Sequence, residues 1–357
     1  MTIIVAIDSF KGCLSSREAN QAIASGIRQR MPDAEVVQIP VSDGGEGWLD
    51  AFSAGSTGKC FQQITVNVKD PLLRPIAAPY LIHDDTAIIE IAMASGLTLL
   101  SKEERNPMRA TSYGTGQLIV DAVRRGCRHI IVGLGGSATS DCGIGMLHAI
   151  IDSLSKGTGW DGLRDLDGIR FTIATDVTNP LCGEHGAAHV FAPQKGATPA
   201  MVASLDARAR RFAEASARHF GYDRQDEPGA GAAGGLGYAF LQYMDAECRP
   251  GIELLLDAIG FDALLAHADL VITGEGSADR QTLMGKLPLG ILRRARSHGV
   301  PVALIAGRVA DRDALLAAGF SHVECINPPG ISLEEAIRPE TAKKNLMHTI
   351  PVLFSQI

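Results

Sequence analysis

Five short polar segments, several of them rich in glycine and each with a carboxylate, follow apolar runs that predict β-strands. Each begins one to three residues after its apolar run. In open α/β sheets, ligands bind at the carboxyl ends of the strands. One such segment is usually an ordinary turn, because acidic residues start turns and cap helices, but five on one chain favour a shared polar cleft. The segments are Asp8-Ser9-Phe10-Lys11, Ser42-Asp43-Gly44-Gly45-Glu46-Gly47, Gly133–Asp141, Asp176-Val177-Thr178-Asn179-Pro180 and Gly274-Glu275-Gly276-Ser277-Ala278-Asp279.

The segment Gly133–Asp141 has the residue types of a phosphate site. An apolar strand leads into a Gly-Gly-Ser turn, and residues 143–151 can follow as a helix. Glycine lets the backbone approach an anion, and backbone N–H groups and hydroxyls can hold phosphate oxygens. The simpler alternative is a plain strand-to-helix turn. The candidate phosphate-binding residues are Gly135, Gly136, Ser137 and Thr139.

Three lysines lie near the polar segments: Lys11, Lys195 and Lys286. A lysine in a loop rich in glycine and proline is usually a solvated surface residue, but phosphoryl transfer needs cations that neutralise the transferred phosphate. No Walker A motif is present, because Gly285-Lys286 is followed by Leu287. A nucleotide triphosphate would therefore need a different phosphate-binding loop.

The sequence favours a metal site with oxygen ligands over one with nitrogen or sulfur ligands. Asp176 and similar carboxylates suit Mg²⁺, which prefers oxygen ligands and a bound phosphate. Cys182, His185 and His189 only weakly suggest a transition-metal site, because Gly186 argues against a firm helix that would place both imidazoles on one face.

A second class of function stays open. Gly133, Gly135 and Ala138 match the loose G-x-G-x-x-A form of a dinucleotide-binding turn. An NAD(P)-dependent oxidoreductase of a small hydroxy acid would also need an acidic residue about 20 residues further on at a strand end. Asp152 and Asp161 are near that distance, but neither follows an apolar strand. A third alternative is a non-catalytic sugar-acid binding protein on the same fold.

The elements that must position these residues form a βα pattern at both ends of the chain. It covers strand 3–7, a helix capped by Ser15 or Ser16, and apolar run 35–41, and it resumes with strand 268–273. The middle is richer in β-structure, with segments 61–69 and 76–92. The pattern predicts an α/β fold with two α/β domains: a Rossmann-like parallel-sheet domain formed by both termini (1–58 and 268–357) and an inserted, mixed α/β domain (59–267).

Composition excludes several classes of protein. The net charge of −7 provides no basic surface for nucleic acid, and no apolar run is long enough to predict a membrane span. Seven scattered cysteines without a C-x-x-C pair favour reduced thiols. The absence of a G-x-S-x-G motif argues against an α/β-hydrolase. We expect a cytoplasmic protein, monomeric or homodimeric, that acts on small molecules.

Taken in order, the motifs resemble the bacterial glycerate kinase family, specifically its type I enzymes. The resemblance covers about residues 3 to 330, and nine ordered motifs make it specific. It implies ATP-dependent phosphorylation of D-glycerate with Mg²⁺, on a two-domain α/β fold, most often giving 2-phosphoglycerate. The motifs are Asp8–Lys11, Ser42–Gly47, Glu90–Leu97, Thr111–Gly116, Gly135–Thr139, Asp176–Leu181, Pro193–Ala197, Pro228–Gly237 and Thr273–Gly276, the last with Asp279, Gln281, Gly285, Lys286 and Pro288.

The resemblance also implies roles for the matching residues. Asp176 and Asp279 are the candidates for the base or the Mg²⁺ ligand, and the sequence does not rank them. Lys11, Lys195 and Lys286 are expected to contact the γ-phosphate or the glycerate carboxylate. The remaining substrate and nucleotide candidates are Asp8, Ser9, Asp43, Gly44, Gly45, Glu46, Ser95, Gly96, Thr111, Ser112, Asp141, Thr178, Asn179, Gly274, Glu275 and Gly276. The chain departs from the family pattern at Ser140 and Cys142, where relatives often have Asn and Gly, and at Tyr113, where some relatives have Arg.

Overall fold

The structure is a computed structural model that describes residues 1–55, 60–154, 163 and 166–355. In these residues the strands are β1 (Thr2–Ile7), β2 (Glu35–Gln38), β3 (Gln62–Lys69), β4 (Pro75–His83), β5 (Thr86–Glu90), β6 (His129–Gly133), β7 (Arg170–Ala174), β8 (Glu247–Arg249), β9 (Leu270–Ala278), β10 (Val302–Val309) and β11 (His322–Cys325). The α-helices are α1 (Ser16–Arg30), α2 (Trp48–Gly55), α3 (Ala92–Ser95), α4 (Tyr113–Arg124), α5 (Ile144–Leu154), α6 (Ala187–Phe191), α7 (Pro199–Phe220), α8 (Ala232–Met244), α9 (Gly251–Ile259), α10 (Phe261–Leu265), α11 (Leu287–Ser297), α12 (Arg312–Ala318), α13 (Leu333–Ala336) and α14 (Pro339–Leu353).

The chain divides into two compact units. Unit 1 comprises the described residues of Met1–Asp43, Asp50–Lys59 and Ile252–Ile357, and unit 2 comprises those of Gly44–Leu49 and Cys60–Gly251. Residues 252–267 thus pack with unit 1, and the short segment Gly44–Leu49 packs with unit 2. The domain boundaries expected after residues 58 and 267 stay a prediction.

Unit 1 is built on a parallel five-stranded sheet with the order β11-β10-β9-β1-β2. Ile3 of β1 pairs with Val36 on one side and with Leu270 on the other. The chain moves outward from β1 to β2 in one direction and from β9 to β11 in the other. The strand order therefore reverses between β1 and β9, and in open α/β sheets ligands bind at the carboxyl ends of the strands that flank such a reversal.

Apolar strand runs and helix caps explain how unit 1 forms. Strands β1 and β9 are almost wholly buried, as expected for parallel strands covered by helices on both faces. Helix α1 begins with a capping box, in which Ser15 Oγ accepts from the Glu18 N–H and the Glu18 carboxylate accepts from the Ser15 N–H. Its apolar face packs with α14 through Ile23, Ile27 and Ile350. This core holds the carboxyl edge of the sheet in place.

Unit 2 is built on a mixed six-stranded sheet with the order β3-β4-β5-β6-β7-β8. The first three strands pair antiparallel, and β5 to β8 pair parallel, so the carboxyl ends of β5, β6 and β7 lie at one edge. Helices α4 and α5 pack against each other, and their buried residues share one core with β5, β6 and β7. The loops after these three strands carry the polar residues of unit 2.

The predicted fold class is confirmed: a parallel α/β unit is formed from both ends of the chain, and a mixed α/β unit from the middle. The predicted strand 129–134 and helix 143–151 agree with β6 and α5 to within three residues at each end. None of the described helices combines the length and apolarity needed to cross a membrane. All seven cysteines are free thiols.

Candidate active site

In unit 1, three carboxylates meet where β1 and β9 end. Asp8 follows β1 directly, its N–H donating to the carbonyl of Gly274 at 2.9 Å, and Glu275 lies in β9. Asp43 belongs to the segment after β2. Asp8, Asp43 and Glu275 line one cavity of about 520 Å³. The expectation that polar segments after separate strands come together is thus met within this unit.

Asp8 is the carboxylate most perturbed by these surroundings. Burial, together with the negative charges of Asp43 and Glu275, raises the pKa of Asp8 from 3.8 to about 7. The Ser9 N–H, which donates to Asp8 Oδ1 at 2.7 Å, and the charge of Lys11 oppose this rise. A carboxylate with a pKa near 7 exchanges a proton readily at neutral pH, which is the property required of a general base.

Glu275 is held from two sides. The Thr282 hydroxyl donates to Glu275 Oε1 at 2.6 Å, and Lys286 Nζ lies 3.5 Å from Oε2. Burial raises the pKa of Glu275, and these two partners partly offset the effect. Lys286 immediately precedes α11 and lines the cavity. It is therefore a cation held in place beside the carboxylates.

Five further predicted residues of unit 1 have distinct positions. Ser9 and Lys11 line the cavity, as does Gly276. Gly274 pairs with Ile7 inside the sheet. Asp279 caps the 3₁₀ helix Arg280–Met284, with Asp279 Oδ1 accepting from the Gln281 N–H at 2.7 Å; it is not among the lining residues of the cavity.

Sequence reasoning missed two polar residues of this cavity, Arg308 and Asn327. Arg308 lies near the end of β10, and Asn327 follows β11, where its side-chain N–H donates to the carbonyl of Gly307 at 2.7 Å. The rule that picked out Asp8 and Glu275 would have found them, because both lie at carboxyl ends of predicted strands. They were passed over because neither stands in an acidic or glycine-rich segment.

In unit 2, the Gly-Gly-Ser turn after β6 packs against the Gly44-Gly45 segment. The Gly135 N–H donates to the carbonyl of Gly44 at 3.0 Å. A Cβ at Gly135 would overlap the Cα of Gly45, so this contact admits no side chain. Glycine at position 135 is therefore explained by the close approach of two backbones.

The same turn is tied to Ser95 and Gly96 on its other side. The Leu97 N–H donates to the carbonyl of Gly136, and the Ala138 N–H donates to the carbonyl of Ser95, both at 2.8 Å. The Ser95 hydroxyl is in turn 2.8 Å from the Thr115 hydroxyl. Ser95 and Gly96, which the resemblance implied as binding residues, act here as neighbours that shape the turn.

Lys195 is buried beneath the turn, with 2% of its surface exposed. Its Nζ donates to Ser137 Oγ at 2.8 Å and to the carbonyl of Thr139 at 2.6 Å. Burial lowers the pKa of Lys195 to about 7, and Asp141 opposes that change. The hydroxyls of Thr139 and Ser140 are buried nearby, and neither has a hydrogen-bond partner in the described part of the chain. Lys195 thus holds the turn from behind.

We expect this burial to show in the pH dependence of stability. Between pH 7 and 9 the unfolded chain keeps the Lys195 proton that the folded protein has lost, so stability rises with pH by up to about 1.4 kcal/mol per unit. Lys195→Met removes that contribution. The measurement is the free energy of unfolding of both proteins at pH 7, 8 and 9. A constant difference between them would show that Lys195 is not buried in solution.

Asp141 joins the starts of α4 and α5. Its Oδ2 accepts from the Ser112 N–H at 2.8 Å, the Ser112 hydroxyl at 2.9 Å, the Gly145 N–H at 3.2 Å and the Thr111 hydroxyl at 3.5 Å. Oδ1 accepts from the Gly143 N–H at 3.2 Å. A carboxylate at helix N-termini is stabilised by the helix dipoles. The Gly143 and Gly145 N–H groups at the start of α5 are thus occupied by Asp141.

The loop after β7 holds Asp176, Thr178 and Asn179. Asp176 and Thr178 are exposed, and Asn179 Nδ2 donates to the carbonyl of His185 at 2.8 Å. Glu46 is also exposed and lines a second cavity, described below. The structure thus places these predicted residues at the carboxyl edge of the unit 2 sheet.

The geometry differs from a dinucleotide-binding turn. Strand β6 ends at Gly133 and α5 begins only at Ile144, whereas the glycine fingerprint must open the helix directly. Asp152 lies inside α5, where it accepts from the Tyr113 hydroxyl at 3.1 Å, and Asp161 lies outside the described residues. The oxidoreductase alternative is not supported.

Within the described ranges, no three His, Cys, Asp or Glu residues are grouped so that they could hold a metal ion. Cys182, His185 and His189 are among these described residues and are not arranged as a metal-binding group.

Comparison with known proteins shows which family this chain resembles. A sequence model of the glycerate kinase family matches residues 3–357. The glycerate kinase of Halalkalibacterium halodurans is 40% identical over 358 aligned residues, covering 94% of this chain and 93% of that protein. The glycerate 2-kinase of Escherichia coli K12 is 41% identical over 331 residues, covering 87% and 86%.

A solved structure shows the same fold. The crystal structure named for glycerate kinase 2 of Salmonella typhimurium LT2 superposes with a TM-score of 0.77 at 38% identity, covering 99% of both chains. The resemblance noted from the ordered motifs is confirmed along the whole chain. The chain belongs to the glycerate kinase family.

Proposed function

We propose that this protein transfers the γ-phosphoryl group of ATP to the 2-hydroxyl of D-glycerate, giving 2-phosphoglycerate and ADP. Membership of the glycerate kinase family supports the substrate pair. The Escherichia coli relative, named as a glycerate 2-kinase, supports the choice of hydroxyl. The NAD(P)-dependent and non-catalytic alternatives have no support in these relatives.

One observation carries the proposal: the unit 1 cavity places cations beside Asp8, a carboxylate whose pKa is raised to about 7 by burial and by neighbouring negative charges. Lys11, Lys286 and Arg308 line it together with Asp8. Glycerate is a small anion with two hydroxyls, and its carboxylate requires cationic partners. Arginine and lysine satisfy such groups through charge-assisted hydrogen bonds. We assign glycerate binding to this cavity.

Asp8 is the residue we propose as the proton acceptor. The 2-hydroxyl oxygen forms the new bond to the γ-phosphorus, the bond from that phosphorus to the bridging oxygen breaks, and ADP leaves with the electron pair. The hydroxyl proton passes to Asp8. Positioning and charge neutralisation supply most of the acceleration in such transfers, and here those tasks fall to Lys11, Lys286 and Arg308.

The Gly-Gly-Ser turn of unit 2 is the site we propose for the nucleotide phosphates. Gly136 is exposed there, Gly135 is half-buried with its N–H donated to the Gly44 carbonyl, and Ser137 and Thr139 are buried in the same turn. Because Lys195 is buried under this turn, we propose it as a positioning residue and not as a direct phosphate ligand. We propose that Asp141, Thr111 and Ser112 are also positioning residues, because their hydrogen bonds fix the starts of α4 and α5.

Mg²⁺ is proposed to enter with ATP. Hard cations of this size usually keep several waters and take one or two carboxylates together with substrate phosphates. Asp279 in unit 1 and Asp176 in unit 2 provide carboxylate oxygens of the right type, and both stay proposals for this role. When bound, the metal would neutralise charge on the phosphates.

A cytoplasmic location and a monomeric or homodimeric state are further proposals. Seven free thiols favour a reducing compartment. Size-exclusion chromatography with light scattering distinguishes a monomer of 37.7 kDa from its dimer.

The direct test is glycerate-dependent release of ADP by the purified protein in the presence of ATP and Mg²⁺. ATP turnover that is unchanged by glycerate, together with no turnover on related hydroxy acids, would overturn the proposal.

Lys286→Ala is expected to lower kcat/KM for glycerate roughly 100-fold, the size found when one preorganised electrostatic partner is removed. Lys343→Ala is the matched control, because Lys343 pairs with Glu18 at 3.0 Å and does not line the cavity. Steady-state kinetics of both variants measure the effect. Unchanged turnover and unchanged KM for both substrates in Lys286→Ala would place Lys286 outside the site.

A further inference from the structure

Unit 2 contains a second cavity, which the motifs did not anticipate as a pocket. Its volume is about 500 Å³, and it opens where β5 ends. Strand β4 provides one wall, and α3 with the 3₁₀ turn Leu97–Leu99 provides another. Its lining residues are Glu46, Ile76, Ala77, Pro79, Glu90, Ala92, Met93, Thr98, Leu99 and Gly136.

The lining favours a flat apolar ligand that has a few polar groups. Ile76, Pro79, Met93 and Leu99 make most of the surface apolar. Pockets for small organic ligands have volumes of about 300–1,000 Å³ and combine an apolar lining with a small number of polar groups. A purine nucleoside is of this size and character.

The charge of the lining indicates which part of the two substrates the cavity can bind: the uncharged nucleoside of ATP, and not the phosphates or glycerate. Among the residues that the structure describes, the ionisable side chains of the lining are Glu46 and Glu90, both acidic, and none is a cation. Carboxylates repel glycerate and the phosphates, since like charges close together are unfavourable. They accept hydrogen bonds from hydroxyls, as the acidic residue of dinucleotide sites does with a ribose. This cavity therefore suits the uncharged end of ATP.

The cavity is also continuous with the proposed phosphate turn. Gly136 lines it and belongs to the Gly-Gly-Ser turn after β6, and the Leu97 N–H on the opposite wall donates to the Gly136 carbonyl at 2.8 Å. A nucleoside in the cavity would thus have its phosphates beside that turn, within unit 2.

We propose that this cavity binds the adenosine part of ATP, with the base on the apolar wall and the ribose hydroxyls toward Glu46 and Glu90. The inference rests on the proposed kinase function, because it assumes that ATP is the phosphoryl donor.

The test fills the cavity and measures binding without turnover. Ala77 is exposed on β4, so Ala77→Trp adds a large ring to the cavity without disturbing the core. Thr98→Trp does the same from the other wall. Gln63→Trp is the control, since Gln63 is equally exposed on the neighbouring strand and pairs with Leu81, away from the cavity. Calorimetry measures the Kd of ADP and of inorganic tripolyphosphate for each protein.

In both filling variants the Kd of ADP is expected to rise at least tenfold, and the Kd of tripolyphosphate to change by less than twofold. In Gln63→Trp neither Kd is expected to change. Unchanged ADP affinity, or equal loss of ADP and tripolyphosphate, would overturn the assignment. Wild-type turnover is measured alongside. If the wild type phosphorylates glycerate with ATP but the variants bind ADP unchanged, only the assignment of the adenosine site is contradicted. Absence of both turnover and ADP binding in the wild type contradicts the kinase function itself.

Discussion

Asp8→Asn is expected to reduce kcat by about 100-fold or more, the range in which a general base contributes, while the folded protein becomes no less stable. The amide cannot accept the proton of the glycerate hydroxyl. It can still accept the Ser9 N–H, which donates to Asp8 Oδ1 at 2.7 Å. The variant also removes a negative charge that burial, Asp43 and Glu275 all disfavour.

The raised pKa of Asp8 gives this prediction a pH dependence with a definite sign. In the wild type, Asp8 keeps its proton up to about pH 7, so kcat/KM should rise with pH up to that point and then level off. The unfolded chain loses the same proton near pH 4. Stability due to Asp8 therefore falls as pH rises from about 4 to 7, and the penalty is complete above pH 7. Asp8→Asn should lose this penalty.

Kinetics across pH 5.5–9 and thermal unfolding at pH 8 measure the two effects. Asp33→Asn is the control, because Asp33 is exposed in unit 1 and does not line the cavity. If Asp8→Asn keeps more than a tenth of the wild-type kcat with an unaltered pH profile, another group accepts the proton. Asp176 and Asp279, the bases favoured by the sequence, would then be the next to replace.

Asp141→Ala is expected to have the largest effect on stability, about 3 kcal/mol, because hydrogen bonds to a charged group contribute roughly 1.5–3 kcal/mol each. The change would leave the N–H groups of Ser112, Gly143 and Gly145 without their acceptor at two helix starts. For a domain of this size it should lower the unfolding midpoint by roughly 6–12 °C.

Asp141→Asn is the matched variant, since an amide oxygen keeps one acceptor and loses the charge. Its unfolding midpoint, measured by calorimetry, should lie between those of Asp141→Ala and the wild type. A midpoint within 2 °C of the wild type for Asp141→Ala, combined with a large rise in the KM for ATP, would show instead that Asp141 contacts the nucleotide.

The sequence predicted several residues that line the unit 1 cavity, because one rule of topology applies there. Polar residues that follow separate parallel strands share an edge, and Asp8, Asp43 and Glu275 line one cavity as that rule requires. The same rule also identifies Arg308 and Asn327 if the segment after a strand need not be acidic or rich in glycine. Which strands flank the reversal of strand order depends on pairing between β1 and β9, residues far apart in the chain, and periodicity alone does not determine such pairing.

The sequence was less informative where packing decides a residue's role. Lys195 stands in a Gly/Pro-rich loop, which predicts solvent exposure or a phosphate contact, yet it is 2% exposed and donates to Ser137 and Thr139. Gly234 has a φ of +68°, and a Cβ there would overlap the carbonyl oxygen of Thr139, so α8 backs the same turn. Contacts of this kind join segments dozens of residues apart and have no local sequence signal.

The central claim is tested most directly by a coupled ADP-release assay with ATP, Mg²⁺ and D-glycerate, with the product identified by phosphorus NMR. We predict ADP release that depends on glycerate and a product signal of 2-phosphoglycerate. A signal of 3-phosphoglycerate would contradict the assigned hydroxyl alone. No glycerate-dependent ADP, with no turnover on related hydroxy acids, would contradict the proposed kinase activity.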